Sequence, residues 1–243
     1  MRTSKEHGIE AVIWIAVTGR ALSRAPLAAG IGTAFADANL CVTLLEVGAG
    51  LPNVGFYFAL QPEEYLKPVL DQTSIVEGVA EKSIRFMYAR SAGALDGFRP
   101  RFGPPTFPHV ILLAVSSSGP VSCVETLRRL CEDVRPLPGT GSLGIDAPDG
   151  AVVFGDADSA AEWDCVMQHA RKRNPQAALY LVGPPDAGTG GERIDEHLAL
   201  PRDLTERWGH PMPASGPFFE SLTTSILQLI SSRRRRCAGR AVG

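Results

Sequence analysis

Apolar residues in this chain fall into two kinds of run. Short stretches, apolar at nearly every position and rich in β-branched residues, alternate with longer ones in which apolar residues return every three or four positions. A strand that is apolar on both faces must be covered on both, so the alternation predicts a parallel sheet between layers of helices. The expected strands are residues 11–17, 41–47, 84–89, 110–115, 151–154, 179–182 and 198–200, giving seven parallel strands. Between the first two, Leu27, Ile31, Ala34, Phe35 and Ala38 recur on one helical face. Residues 125–132, residues 162–173 (Trp163, Val166, Met167, Ala170) and residues 217–230 (Phe218, Phe219, Leu222, Ile226, Leu229) read the same way. Such stripes are core. The Pro- and Gly-rich stretches 98–108, 136–144 and 183–191 read as surface loops and not as domain linkers. With no internal repeat, the expectation is one α/β domain over residues 1–232 and a basic, disordered tail over 233–243.

Composition agrees with a single core. A chain of 243 residues, 44% apolar and 21% charged, has enough apolar surface to bury one sizeable interior. The formal net charge of -2 argues against a general nucleic-acid or membrane-surface coat. Only Arg233, Arg234, Arg235 and Arg236 form a local basic run that could attract nucleic acid or acidic lipid, and a solvated tail is the expected reading. Five cysteines without a C-x-x-C pair suit a reducing cytoplasm. Arg2, Lys5, Glu6 and His7 precede an apolar run of strand length without a cleavage pattern, so neither export nor a membrane span is expected. His7, His109, His169, His197 and His210 are dispersed, none at a zinc spacing with Cys or carboxylate, so no metal site is expected. Ser116, Ser117 and Ser118 before Gly119 lack the G-x-S-x-G elbow of a hydrolase.

Residues 12–60 resemble the opening of the MinD/ParA-family ATPases. There a strand runs into K-G-G-x-G-K-[ST], a small-residue helix follows, and a second strand ends in D-x-D-x-G-L-x-N; Gly50, Leu51, Pro52 and Asn53 reproduce the last part. The order continues. Residues 83–89 are similar to the third strand, and 109–115 followed by 116–119 to the Walker-B strand and its D-x-x-x-G switch. Residues 151–159 resemble the next strand and loop, 179–184 the strand whose end carries an adenine-contacting Asn, and 198–214 the I-P-x-D and G-x-P-V segments. The resemblance implies a three-layer α/β/α sandwich with a mostly parallel sheet of the P-loop NTPase type.

A phosphate loop works because backbone N–H groups of a glycine-rich turn and a helix N-terminus converge on one anion, with a Lys on the terminal phosphates. The corresponding run here is Gly19, Arg20, Ala21, Leu22, Ser23, Arg24, Ala25 and Pro26. Side chains occupy the glycine positions, Arg24 stands for the catalytic Lys, and Ala25 replaces the magnesium-holding hydroxyl. Pro26 removes a donor and biases Ala25 away from helical angles.

The other catalytic positions differ as well. Glu46 stands for the first aspartate of the second strand, Gly48 for the water-orienting aspartate, Val115 for the Walker-B aspartate and Gly183 for the adenine-contacting Asn. Phosphoryl transfer rests on positioning and charge neutralisation, so five departures in separate segments predict lost chemistry: no catalytic residues, no metal and no bound ATP or Mg²⁺. Gly19, Arg20, Ser23 and Arg24 then mark a degenerate phosphate-loop position. A rival alignment would take Asp146 to Gly150 as the switch, but a Pro-Asp-Gly turn directly before the next strand is the expected reading. The expected role is a pseudo-ATPase scaffold or adaptor that contacts a protein partner, an active relative or a second copy. The alternative is an ATPase or sensor that binds nucleotide or another anion through Arg20 and Arg24.

Overall fold

The computed structural model describes residues 9–18, 24–47, 54, 57, 75–80, 84–89, 109–116, 123–133, 147–155, 157–183, 194–201 and 216–240. In chain order these give β1 (Ile9–Val17), α1 (Arg24–Asp37), β2 (Cys41–Val47), β3 (Ile75–Ala80), β4 (Ile84–Ala89), β5 (His109–Ser116) and α2 (Cys123–Asp133). β6 (Gly150–Phe154), a 3-10 turn (Ala157–Ser159), α3 (Ala160–Arg173), β7 (Ala178–Val182), β8 (Glu196–Leu198) and α4 (Pro217–Arg240) complete them. All eight strands form one sheet in the order β3-β4-β2-β5-β1-β6-β7-β8, parallel except for the antiparallel pair β3 and β4.

β1 lies between β5 and β6, and its composition suits that place. Ala11, Ile13, Ile15 and Val17 enter one core cluster while Val12, Trp14 and Ala16 enter the other, so neither face tolerates a polar alternation. The first cluster lies beneath α1 and α4, with Leu27, Ile31, Phe35, Phe219, Leu222 and Ile226. The second lies beneath α2 and α3, with Leu127, Trp163, Val166 and Met167. Each such side chain, fully buried, contributes roughly 1.5–3 kcal/mol relative to exposure. The result is the three-layer sandwich that the alternating pattern predicts.

Several boundaries differ from the sequence reading. β3 is an additional strand at the antiparallel edge; Glu77 and Gly78 interrupt its apolar run, and it is held by pairing with β4 from Ile75↔Ala89 to Ala80↔Ile84. β8 occupies Glu196–Leu198 in place of 198–200, because β7 ends at Val182 and its last pair is Val182↔Leu198. Ala38 is exposed, for α1 ends one residue before it. There Asn39 has φ 61, its N–H bonds Ala36 O at 2.9 Å, and the Leu40 N–H bonds Phe35 O at 3.2 Å. This is a Schellman cap with its apolar contact, Leu40 against Phe35, in the core. Asn39→Ala is expected to cost about 1 kcal/mol and Asn39→Gly none, read as shifts of the urea midpoint.

The largest difference concerns the basic run. α4 does not stop near Ile230 but continues through residues 233–236 to Arg240, where a disordered tail is expected from the sequence. Arginine is a good helix former, and Arg233 is also anchored. Its guanidinium donates to Gln176 O at 2.7 Å, to Ala177 O and to the Asp195 carboxylate. Asp195 in turn accepts from Arg171 Nη2 at 3.1 Å and from the Leu179 N–H at 2.8 Å. One carboxylate thus ties α3, α4 and the start of β7 together at the amino end of the sheet. Among the described residues no helix is long and apolar enough to cross a membrane.

Candidate functional site

The site that the resemblance singles out lies at the carboxyl end of the sheet. Val17 pairs with Ser116 on one side and Phe154 on the other, and Phe154 pairs with Val182, so β5, β1, β6 and β7 end at one level. Thr18 after β1, Gly155 after β6, Gly183 after β7 and the end of β5 therefore lie along one end of the sheet. Gly19, Arg20 and Ser23 lie outside the described residues, as do Gly48 and Asp146. Arg24 opens α1, which has no acidic residue in its first turn. Ala25 is helical despite the following proline: Pro26 is the third residue of α1, within the first turn, where a missing N–H breaks no intrahelical bond.

At the end of β5, Val115 pairs with Ala16 and is wholly buried in the cluster beneath α2 and α3 with Cys123 and Leu127. An apolar side chain packed there offers no ligand to a metal and no acceptor to a water. Glu46 lies on the opposite face of the sheet, paired with Tyr88 and Ala114 and wholly buried. Its Oε2 accepts the Val54 N–H at 3.2 Å. Val54 is itself buried under α1, so this carboxylate fastens the chain after β2 back onto the core.

Of the rival switch segment, residues 147–150 are described. Asp149 precedes Gly150, where β6 begins beside Ile13 and Ala178. Asp149 Oδ2 accepts the Val12 N–H at 3.0 Å, and the Asp149 N–H bonds Val12 O at 2.8 Å. This bend closes the amino end of the sheet, the wrong end for a switch beside Thr18.

Sequence reasoning missed three residues at the carboxyl edge: Thr18, Gly155 and Ser159. Thr18 is wholly buried; its hydroxyl donates to Phe154 O at 3.3 Å and lies 3.0 Å from Ser159 Oγ. Ser159 stands at the N-cap of α3, yet its hydroxyl makes no capping bond, because it faces Thr18. The available signal is a glycine directly after an apolar strand, which occurs after both Phe154 and Val182.

No protein-family model matches the sequence, and no curated protein matches it. Solved structures do match its fold. The chain is similar to the MinC:MinD cell division protein complex of Aquifex aeolicus at TM-score 0.52 and 16% identity, over 94% of this chain and 96% of that one. It is similar to a nucleotide-binding protein of Archaeoglobus fulgidus in complex with ADP at TM-score 0.54 and 16% identity, over 88% and 95%. A Borrelia burgdorferi protein described as a plasmid partition protein, bound to AMPPNP, matches at TM-score 0.53 and 11% identity, over 92% and 99%. The chain has the MinD/ParA-type fold.

Within that fold the strand carrying Val115 sits directly beside β1, and Gly183 follows β7 two strands away on the other side. Gly183 has no room for a side chain: a Cβ there would lie 2.3 Å from Gly155 O. Its N–H is bonded to Leu198 O at 3.0 Å. Of the sequence-derived positions, Val115 and Gly183 fall at the carboxyl end of the sheet with β1 and β6 between them, Arg24 opens α1, and Glu46 holds Val54.

Proposed function

We propose that this chain is a MinD/ParA-like pseudo-ATPase that acts as a cytoplasmic scaffold or adaptor, in the spatial positioning or assembly of a cellular machine, through protein contacts. One observation carries the reading: Val115, which the resemblance aligns with the magnesium-site acid of an ATPase, is wholly buried among apolar side chains. Three further features support it. Glu46 is engaged in a structural hydrogen bond, Arg24 and Ala25 replace a Lys and a hydroxyl, and Gly183 excludes a side chain. That all eight strands share one sheet supports reading the body as a single domain. A structure of similar fold is a MinC:MinD complex, which supports a protein partner; a relative of this fold or a second copy is the partner this reading takes. Calorimetric titration of the full chain with ATP and Mg²⁺ is expected to give no binding heat up to roughly millimolar nucleotide, the weak limit of ordinary affinities. Micromolar binding with turnover removes the reading.

A second reading, nucleotide or anion binding through Arg20 and Arg24, is favoured by the start of α1. The helix begins at Arg24 without an acid in its first turn, so the positive end of its dipole is not offset there by the helix's own side chains. Two structures of similar fold hold ADP and AMPPNP. On this reading a nucleotide or phosphorylated metabolite raises the thermal midpoint, and Arg24→Ala abolishes that rise while the fold survives.

A further inference from the structure

Thr18, Gly155 and Gly183 occupy equivalent places: each is the first residue after its strand. Each donates its backbone N–H to the last residue of the neighbouring strand, Thr18 to Phe154 O at 2.8 Å, Gly155 to Val182 O at 3.1 Å and Gly183 to Leu198 O at 3.0 Å. Their volumes interlock in the same order. A Cβ on Gly155 would meet Thr18 Oγ1 at 2.8 Å and Trp163 Cδ1 at 2.9 Å, and one on Gly183 would meet Gly155 O at 2.3 Å. The Thr18 hydroxyl thus fills the space beside Gly155, and the Gly155 carbonyl fills the space beside Gly183. Trp163, wholly buried, backs the middle of the row.

We propose that these three residues form an interlocked backbone seam that holds the carboxyl ends of β1, β6, β7 and β8 in one conformation, so that this edge of the site neither opens for a ligand nor changes state. The inference rests on the scaffold reading and supplies its mechanism, a fixed surface in place of a nucleotide-gated one. Opening the edge between β6 and β7 requires breaking the Gly155 bond, and between β7 and β8 the Gly183 bond. Neither broken bond has a side-chain substitute, since neither glycine can carry one.

The test uses the full chain, with hydrogen exchange read at the amides of Thr18, Gly155 and Gly183 together with the thermal midpoint. Gly183→Ala is expected to lower the midpoint by about 5–10 °C, as overpacking against backbone does in a chain of this size. It should also speed exchange at Thr18 and Gly155 on the order of tenfold, although neither residue is altered. Gly216→Ser serves as control: a Cβ there meets nothing within 4 Å, serine is a good N-cap for α4, and exchange in the seam should not change. If Gly183→Ala does not fold, Thr18→Ala removes the hydroxyl beside Gly155 and should speed exchange at Gly155 by itself. A Gly183→Ala protein with an unchanged midpoint and unchanged exchange overturns the seam, as does unchanged exchange at Gly155 in Thr18→Ala. Titrating ATP into the wild type separates the two ideas. Binding that leaves seam exchange unaltered sinks the scaffold reading alone, while binding that accelerates exchange at Gly155 overturns the seam.

Discussion

Gly30→Val is expected to destabilise the fold by about 2–3 kcal/mol, seen calorimetrically as a fall of about 4–12 °C in the melting temperature. Gly30 lies where α1 meets α4, and a Cβ there would lie 2.5 Å from both Cε2 and Cζ of Phe219 and 2.9 Å from its Cδ2. The ring cannot easily give way. Phe219 is 1% exposed and stacks edge-on against Phe218 with centroids 5.3 Å apart. Two effects of opposite sign compete at this position. Leaving glycine for a better helix former gains up to about 1 kcal/mol, whereas forcing atoms into a filled core costs about 1–3 kcal/mol, and a branched residue sits at the costly end of both scales. A double variant, Gly30→Val with Phe219→Leu, should recover part of the loss by vacating the contact. Should Gly30→Val melt with the wild type, α1 and α4 do not cross as described.

Asp195→Ala is expected to cost about 2–3 kcal/mol, measured as a lowered denaturant midpoint at constant slope. The substitution removes the shared partner of Arg171 and Arg233 and the acceptor of the Leu179 N–H. Breaking a buried ion pair commonly costs about 3–5 kcal/mol; here the three side chains are between 13% and 22% exposed, and screening reduces the figure. Arg233→Ala should act in the same direction with smaller size, because Arg171 remains on Asp195. Truncation after Ser232 should resemble Arg233→Ala, although the deleted stretch reads as a solvated appendage in the sequence. A truncated chain as stable as the full one would falsify the anchoring role of Arg233.

The sheet was legible because its central strands are apolar on both faces. β1, β2, β5, β6 and β7 each carry side chains into both clusters, and runs this apolar, Thr43 and Glu46 of β2 notwithstanding, read as covered strands. β3 was not legible, since Glu77 and Gly78 erase the pattern and only pairing with β4 defines it. β8 was found two residues late because Leu198 and Leu200 suggest a strand, while the register is set by Tyr180, Leu181 and Val182 on its neighbour. The end of α4 was hidden for another reason: four consecutive arginines look solvated until Asp195, 38 residues earlier, is known to face the first of them. At the candidate site, Arg24, Val115 and Gly183 are singled out by the resemblance, as positions where the expected motif has other residues. What could not be read was consequence. That Glu46 fastens Val54, and that Thr18 and Gly155 leave Gly183 no room, depends on distances that no local pattern encodes.

The sheet order also bears on biosynthesis. Of the described strands β1 leaves the ribosome before the others, yet its register partners start at His109 and Gly150, so Ile9 waits for a neighbour 100 residues further along the message. At about 5–20 residues per second that delay is about 5–20 s, during which the stretch from Ala11 to Val17 has no sheet to enter. A nascent chain of this design presents a sticky, aggregation-prone segment for longer than it takes many small domains to fold completely. Chaperones that mask exposed apolar segments during synthesis should therefore raise its yield in the cell.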